Sequence, residues 1–280
     1  MKKNANSPLR YPGGKSKLYN EMKEILEYNN LIGCTYIEPF AGGSGLALSL
    51  LYNDLVSDII INDSDRAIYA FWHSILVHNK KFCQKILDTD VTLEEWYRQK
   101  EIYNNPKSKI FDLGFATFFL NRTNRSGIIK GGPIGGINQN GKYLIDCRFN
   151  KEDLINRIKK IYLYKAHINL YNLDVTNFII DELPNLDLNN SFIYFDPPYV
   201  EKGPELYQNN FTKENHKTLK NTIKDNVTIP WLITYDYTDT IIDIYKEYNT
   251  DKLTLTYTAG TSKKGNELMI FSNNLKNPRT

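Results

Sequence analysis

The chain has 280 residues, 41% of them hydrophobic, enough for a full core in one large domain or a domain carrying an insertion. Its net charge is only +3, so overall charge does not call for a polyanionic partner. Cys34, Cys83 and Cys147 are odd in number and form no CxxC pair, and the four histidines are scattered; these features indicate neither a disulfide framework nor a metal site. Residues 1–9 lack an apolar signal core and no apolar run reaches the length of a membrane span, so a soluble, cytoplasmic protein with no membrane contact is expected.

The first distinctive segment is Arg10-Tyr11-Pro12-Gly13-Gly14-Lys15, glycines set among cations. It suits a loop laid over a ligand that carries a carboxylate, or a plain terminal loop. Tyr36-Ile37-Glu38 and Ile59-Ile60-Ile61 read as buried strands ending at acidic residues. After the first, Glu38-Pro39-Phe40-Ala41-Gly42-Gly43-Ser44-Gly45 makes a glycine-rich turn into a helical run over 46–52. Such a turn lets backbone approach a ligand closely, although it is neither GxGxxG nor a phosphate loop. Asn62-Asp63 ends the next strand, where an acid commonly receives ribose hydroxyls; the alternative is that Asp63 caps the helix beginning at Ser64.

From about residue 66 to 161 the pattern turns helical, with a capping box expected at Thr92-x-x-Glu95. The run Gly131-Gly132-Pro133-Ile134-Gly135-Gly136 and the run Asn138-Gln139-Asn140-Gly141 interrupt it as a loop or hairpin excursion. Residues 121–165 hold ten Lys and Arg against three Asp and Glu, an excess of seven charges that outweighs the whole chain's +3. Asn121, Arg122, Asn124, Arg125, Lys130 and Lys142 therefore form a candidate phosphate-contacting set, against the alternatives of helix-end cations and a solvated helical face. The domain reading is a core of residues 1–65 and 162–280 interrupted by an inserted subdomain, 66–161.

Strands are expected again at 168–171, 192–195, 231–235, 253–257 and 268–271, with helices over 214–223 and 240–248. Strand and helix in alternation imply a mostly parallel sheet covered on both faces. The last two strands have only residues 260–266 between them, so they should form an antiparallel hairpin at the sheet edge. Asp174-Val175 follows the strand at 168–171, where the carboxylate suits either an adenine amino group or a helix cap.

The most informative stretch is the apolar strand 192–195 followed by Asp196-Pro197-Pro198-Tyr199. A parallel strand delivers its last residue to the carboxyl edge of the sheet, where open α/β folds bind ligands. Two prolines then remove two backbone donors and hold the chain extended. The Asp196 carboxylate and Pro197 carbonyl become paired acceptors beside the Tyr199 ring, an arrangement suited to an exocyclic amino group on a planar base.

Together, and in this order, the segments Tyr11 to Lys15, Glu38 to Gly45, Asn62-Asp63, Asp174-Val175 and Asp196 to Tyr199 resemble the Dam-like (alpha group) site-specific DNA adenine-N6 methyltransferases. The resemblance runs from about residue 9 to 271. It implies a Rossmann-like S-adenosylmethionine-dependent methyltransferase fold, with a mostly parallel seven-stranded sheet, an antiparallel edge hairpin and a mainly helical inserted DNA-recognition subdomain. It implies S-adenosyl-L-methionine held by Tyr11, Pro12, Gly13, Lys15, Glu38, Pro39, Phe40, Ala41, Gly42, Gly43, Ser44, Asp63, Asp174 and Val175. Asp196, Pro197, Pro198 and Tyr199 would be catalytic toward an adenine flipped out of double-stranded DNA. Phe118-Phe119-Leu120-Asn121-Arg122-Thr123 resembles the entry to the family's DNA-contacting hairpin, and Glu267-Leu268 matches a position near its catalytic pocket. Beyond Thr123 the sequence Asn124-Arg125-Ser126-Gly127-Ile128 departs from the best-known members, so their GATC target does not carry over. A monomer or weak dimer is expected, with a cognate restriction endonuclease as a possible partner. Relatives acting on RNA or on protein amides usually carry Asn where this chain has Asp196, which favours DNA; a DNA-binding module with a relic pocket is the non-enzymatic alternative.

Overall fold

The computed structural model describes residues 6–10, 15–200, 211–259 and 261–279, and of residues 16, 255–259 and 261–264 the backbone alone. The segment Tyr11-Pro12-Gly13 of the expected cofactor site lies outside the described residues. Seven strands form one sheet: β1 (Cys34–Glu38), β2 (Val56–Asn62), β3 (Ile168–Tyr171), β4 (Ser191–Phe195), β5 (Trp231–Asp236), β6 (Asn249–Ala259) and β7 (Thr261–Phe271), in the order β3-β2-β1-β4-β5-β7-β6. β1 runs parallel to β2 and β4, and β4 parallel to β5, whereas β7 enters antiparallel between β5 and β6. This is the mostly parallel seven-stranded sheet with an antiparallel edge hairpin that the family resemblance implied.

The central strands are near-continuous apolar runs because both their faces are covered: every residue of β4 and β5 is buried. The edge hairpin is longer than residues 260–266 suggested, since pairing continues from Asn249↔Phe271 out to Ala259↔Thr261. The threonine-rich stretch 254–261 favours strand and contains no proline to stop the ladder.

The chain divides into two compact units, Met1–Ser16, Gly42–Leu48 and Asp65–Asn172 in one, and Lys17–Ala41, Ser49–Ser64 and Leu173–Thr280 in the other. The expected insertion at 66–161 thus falls inside a unit that also takes in the amino-terminal segment, the glycine turn and β3. That first unit is mainly helical, with α3 (Arg66–Val77), α4 (Asn79–Asp88), α5 (Leu93–Asn104), α6 (Ile110–Thr123) and α7 (Lys151–Leu163) following α1 (Tyr19–Tyr28) and α2 (Gly45–Leu51) in the chain. Helix α6 is apolar nearly all round and buried from Leu113 to Thr123, its phenylalanines packed with Phe71, Phe82 and Phe149. Gly114 makes its approach to α3 possible, because a Cβ there would lie 2.3 Å from the Ala70 carbonyl oxygen.

The caps follow the sequence with two amendments. Thr92 accepts from the Glu95 N–H at 3.1 Å, but Glu95 turns its carboxylate to Gln99 and Arg98, so only half of the expected box forms. A full capping box forms at Thr212 and Asn215, ahead of the helix Lys213–Asn226. The helix expected over 240–248 is shorter, Asp239–Ile244. Between α6 and α7 the glycine- and asparagine-rich segment is a loop folded around Gln139, whose amide donates to the Ile134 and Gly136 carbonyls and accepts from the Ile145 N–H. No helix among the described residues is long and apolar enough to cross a membrane.

Candidate active site

From β1 the chain proceeds to β2 and β3 on one side, then returns to β4 and β5 on the other, so the order reverses between β1 and β4. The crevice outside the carboxyl ends of such neighbours is where open α/β sheets bind ligands. Ile37 pairs with Ile193, so Glu38 leaves β1 beside the end of β4, from which Asp196 follows. Both catalytic and cofactor segments of the sequence reading thereby start at one crevice.

Under it lies an aromatic floor. Tyr36 and Tyr194, on neighbouring strands, stack with ring centroids 6.3 Å apart, and the Tyr194 hydroxyl bonds Thr234 Oγ1 at 2.7 Å. Burial first pushes the hydroxyls of Tyr36, Tyr194 and Tyr235 well above the usual tyrosine value, with nearby carboxylates next at Tyr36 and Tyr194, and Tyr245 ahead of the carboxylates at Tyr235, so all three stay protonated. Those carboxylates are Glu38 and Asp196 at Tyr36, Asp196 and Glu267 at Tyr194, and Asp236 and Asp196 at Tyr235. Asp196 is the one carboxylate that acts on all three tyrosines.

The Asp-Pro-Pro-Tyr turn is fixed at its far end. Tyr199 is 7% exposed and its hydroxyl donates to Glu267 Oε1 at 2.6 Å; the next backbone N–H, of Val200, donates to Asp236 Oδ1 at 3.2 Å. Asp236 and Glu267 sit opposite each other in the β5–β7 ladder. Asp236 was absent from the sequence-based set, although its signal was the same as that of Asp196 and Asp63: an acid directly at a strand's carboxyl end.

The remaining predicted residues gather by segment. Glu38, Pro39, Ala41, Gly42, Gly43 and Ser44 are buried and Phe40 is half-exposed, its ring edge-on to Phe211 at 6.1 Å. Ala41 N–H donates to the Asn62 carbonyl at 2.9 Å, and Trp72 Nε1 donates to the Gly42 carbonyl at 3.0 Å. The turn is tight enough that Ser44 takes a left-handed φ of 42°, which costs a non-glycine residue about 1–2 kcal/mol. Asp63 lies just past β2, and the cap of α3 is Asp65, which accepts from Ala67 N–H at 2.8 Å, so Asp63 does not carry that duty. Asp174 is exposed and does cap the short turn Val175–Asn177, through Oδ1 to Thr176 N–H at 2.8 Å; Val175 is buried. Lys15 is 6% exposed and opens the turn Lys15–Leu18.

The candidate DNA-contacting residues separate into two kinds. Asn121, 1% exposed, accepts from Arg10 N–H at 2.7 Å and donates to the Arg10 and Gly127 carbonyls. Arg122 donates to the Arg148 carbonyl through two nitrogens, and burial first, then Arg10 and Arg157, pushes its guanidinium down to about 9. Asn124, fully buried, accepts from Trp96 Nε1 at 2.7 Å and donates to the Ile128 and Ile129 carbonyls. These three hold the loop together from within, whereas Arg125, Lys130 and Lys142 stand exposed on it.

With this geometry in view, the chain's similarities become informative. A family model described as D12 class N6 adenine-specific DNA methyltransferase matches residues 11–259. Similar proteins include Type II methyltransferase M.MjaIII of Methanocaldococcus jannaschii, 25% identical over 219 residues and 73% of each chain. Type II methyltransferase M.CviBI of Paramecium bursaria Chlorella virus NC1A is 24% identical over 259 residues and 86% of each chain. Among solved structures, an rRNA methyltransferase from Streptomyces viridochromogenes is 12% identical with a TM-score of 0.41, covering 95% of this chain and 88% of that one. The family match spans most of the chain: this protein belongs to the D12 class N6 adenine-specific DNA methyltransferases, and its methyl donor is S-adenosylmethionine.

Proposed function

We propose that this enzyme methylates adenine N6 within a specific sequence of double-stranded DNA, taking the target base out of the duplex. The observation that carries the reading is Asp196 at the β1–β4 crevice, followed within three residues by a tyrosine ring locked to Glu267. In this reading the Asp196 carboxylate and Pro197 carbonyl accept the two amino protons of the base. The amino nitrogen is drawn toward a pyramidal shape, and its lone pair is freed. Tyr199 offers its ring face for stacking, since its hydroxyl is engaged with Glu267. Stacking and edge bonds offset the few kcal/mol that unstacking a base costs. Positive charge developing on the nitrogen meets the surrounding acids, Asp196 foremost, and fixed charge of this kind supplies most of the acceleration without reorganising.

The residues assigned to the cofactor suit S-adenosylmethionine in kind: a glycine turn at Gly42-Gly43-Ser44, a half-exposed ring at Phe40, and acids after strands. When bound, that cofactor supplies an electrophilic methyl group. Glu38 to Ser44 and Lys15 would hold its amino-acid part, Asp63 its ribose hydroxyls, and Asp174 its adenine amino group through Oδ2, with Val175 beside it. Arg125, Lys130 and Lys142 are the exposed cations offered to DNA phosphates, in a subdomain given to recognition. The relatives' designation as type II methyltransferases supports a place beside a restriction endonuclease of the same specificity.

The test is transfer of radiolabelled methyl from S-adenosylmethionine to duplex DNA free of N6-methyladenine, with RNA and protein in parallel. Label confined to duplex DNA, and mapped to adenine N6 in one sequence, is the expected outcome. Label on RNA or protein alone would overturn the reading.

A further inference from the structure

Asn62 is 1% exposed and ends β2, and its side chain joins two other strand-end loops. Its amide nitrogen donates to the Pro39 carbonyl at 3.1 Å and to the Leu173 carbonyl at 3.0 Å, while Oδ1 accepts from the Leu173 N–H at 2.9 Å. The carbonyl of Asn62 meanwhile accepts from Ala41 N–H at 2.9 Å. The two bonds to Leu173 pair a side-chain amide with both the N–H and the C=O of one residue, as one more rung of a β-ladder would. Asn62 thus fastens the loop after β1 and the loop after β3 to the end of β2.

Each fastened residue stands next to one that the proposed function gives to the cofactor. Pro39 adjoins Glu38 and Phe40, Leu173 adjoins Asp174, and Asn62 itself adjoins Asp63. Consecutive Cα atoms are about 3.8 Å apart, so fixing one residue of each pair fixes the next. We infer that Asn62 is a positioning residue of the cofactor site, a clasp that holds the loops bearing Glu38, Asp63 and Asp174 in one arrangement before ligand arrives. This rests on the reading of those three carboxylates as cofactor-holding groups. Only an amide meets the requirement, because two carbonyls need donors while one N–H needs an acceptor. Aspartate keeps the acceptor and loses both donors, and leucine keeps the volume and loses all three bonds.

The experiment is calorimetric titration of the full chain with S-adenosylhomocysteine, beside steady-state kinetics. We expect Asn62→Leu, shown to be folded by a cooperative melt, to bind about tenfold or more weakly. KM for S-adenosylmethionine should rise with kcat at saturation little changed, a split that general loss of folded enzyme does not produce. Asn62→Asp, kept in case the leucine variant does not fold, should shift the same way. Wild-type affinity in either folded variant would overturn the clasp, whereas no binding by the wild-type chain would instead remove the cofactor reading beneath it. Hydrogen exchange on the wild-type protein tests the same coupling without substitution. If the clasp favours ligand, ligand must favour the clasp, so the Leu173 amide should exchange more slowly with S-adenosylhomocysteine present. Unchanged exchange at saturation would overturn the inference.

Discussion

Tyr199 and Glu267 are 68 residues apart in sequence, yet the tyrosine hydroxyl donates to the glutamate's Oε1 at 2.6 Å inside the protein. The bond fixes the ring by its far end, and Asp236, across the ladder from Glu267, fixes the following peptide. A stacking surface held at both hydroxyl and backbone loses little freedom when a base settles on it. Tyr199→Phe should therefore slow methylation by about tenfold even though the ring remains, the loss of a hydrogen bond to a charged group being about 1.5–3 kcal/mol. Glu267→Gln, which retains an acceptor oxygen, should stay near wild type, and Glu267→Leu should resemble Tyr199→Phe. Combining Tyr199→Phe with Glu267→Leu should cost no more than either alone. Additive losses in a steady-state methyl-transfer assay would separate the two residues.

Asp196 should be indispensable to turnover and dispensable to cofactor affinity. Asp196→Ala should lower kcat by about 10²-fold or more, as removal of one preorganised group at developing charge commonly does. Asp196→Asn keeps an acceptor without the charge and should retain more activity than alanine. Calorimetry with S-adenosylmethionine should show both variants binding it nearly as wild type does. Near-normal turnover in Asp196→Ala would sink the catalytic assignment.

Exposed and buried cations of the 121–142 segment should fail in different assays. Replacing Arg125, Lys130 or Lys142 with alanine should weaken DNA binding and lower the slope of log K against log salt by about one each. Their melting temperatures should not move. Arg122→Met should instead destabilise the fold by about 1–3 kcal/mol, because it removes both donors to the Arg148 carbonyl from a side chain that is itself buried. An unaltered melt for Arg122→Met with a lost salt slope would reverse these roles.

Why those roles were hidden in the sequence is physical. Asn121, Arg122, Asn124 and Arg125 occupy four of five successive positions, and composition alone marks all of them as polar and suited to DNA. Which of them face inward is decided by partners far along the chain, Arg10 for Asn121 and Trp96 for Asn124. No local period encodes such pairings. The sheet, by contrast, was legible because both-face burial writes a strand as an unbroken apolar run, as at Ser191–Phe195. Asp63, Asp174 and Asp196 were legible as acids after such runs, whereas Asp236 was missed, and the cap of α3 weighed for Asp63 falls to Asp65. Asn62 was visible as part of a motif, but two of its three side-chain bonds depend on Leu173, 111 residues away.

Gly114 should tolerate no side chain. A Cβ would meet the Ala70 carbonyl oxygen at 2.3 Å and Ser74 Oγ at 2.6 Å, and the first of these is backbone of α3 that cannot simply rotate aside. Gly114→Val should therefore cost about 1–3 kcal/mol through overpacking, despite the better propensity of most residues for helix interiors. Chemical denaturation measures this directly. A midpoint at or above that of the wild-type protein would mean that α3 and α6 are free to separate.

His216 should make stability fall as the solution is acidified. It is fully buried, its Nδ1 lies 2.9 Å from the Tyr235 hydroxyl, and burial holds its pKa below the ordinary 6.5 although Asp236 pulls the other way. The native imidazole stays neutral while the unfolded chain takes up a proton as pH drops below about 6.5, so the unfolded state binds more protons in that window. Stability from this group is complete above the unfolded value and is lost as pH falls from there toward the folded one. Melting temperatures measured between about pH 8 and about pH 5 should decline for the wild-type protein and decline less for His216→Asn, which carries no titrating ring. Equal slopes for the two proteins would place the acid sensitivity elsewhere.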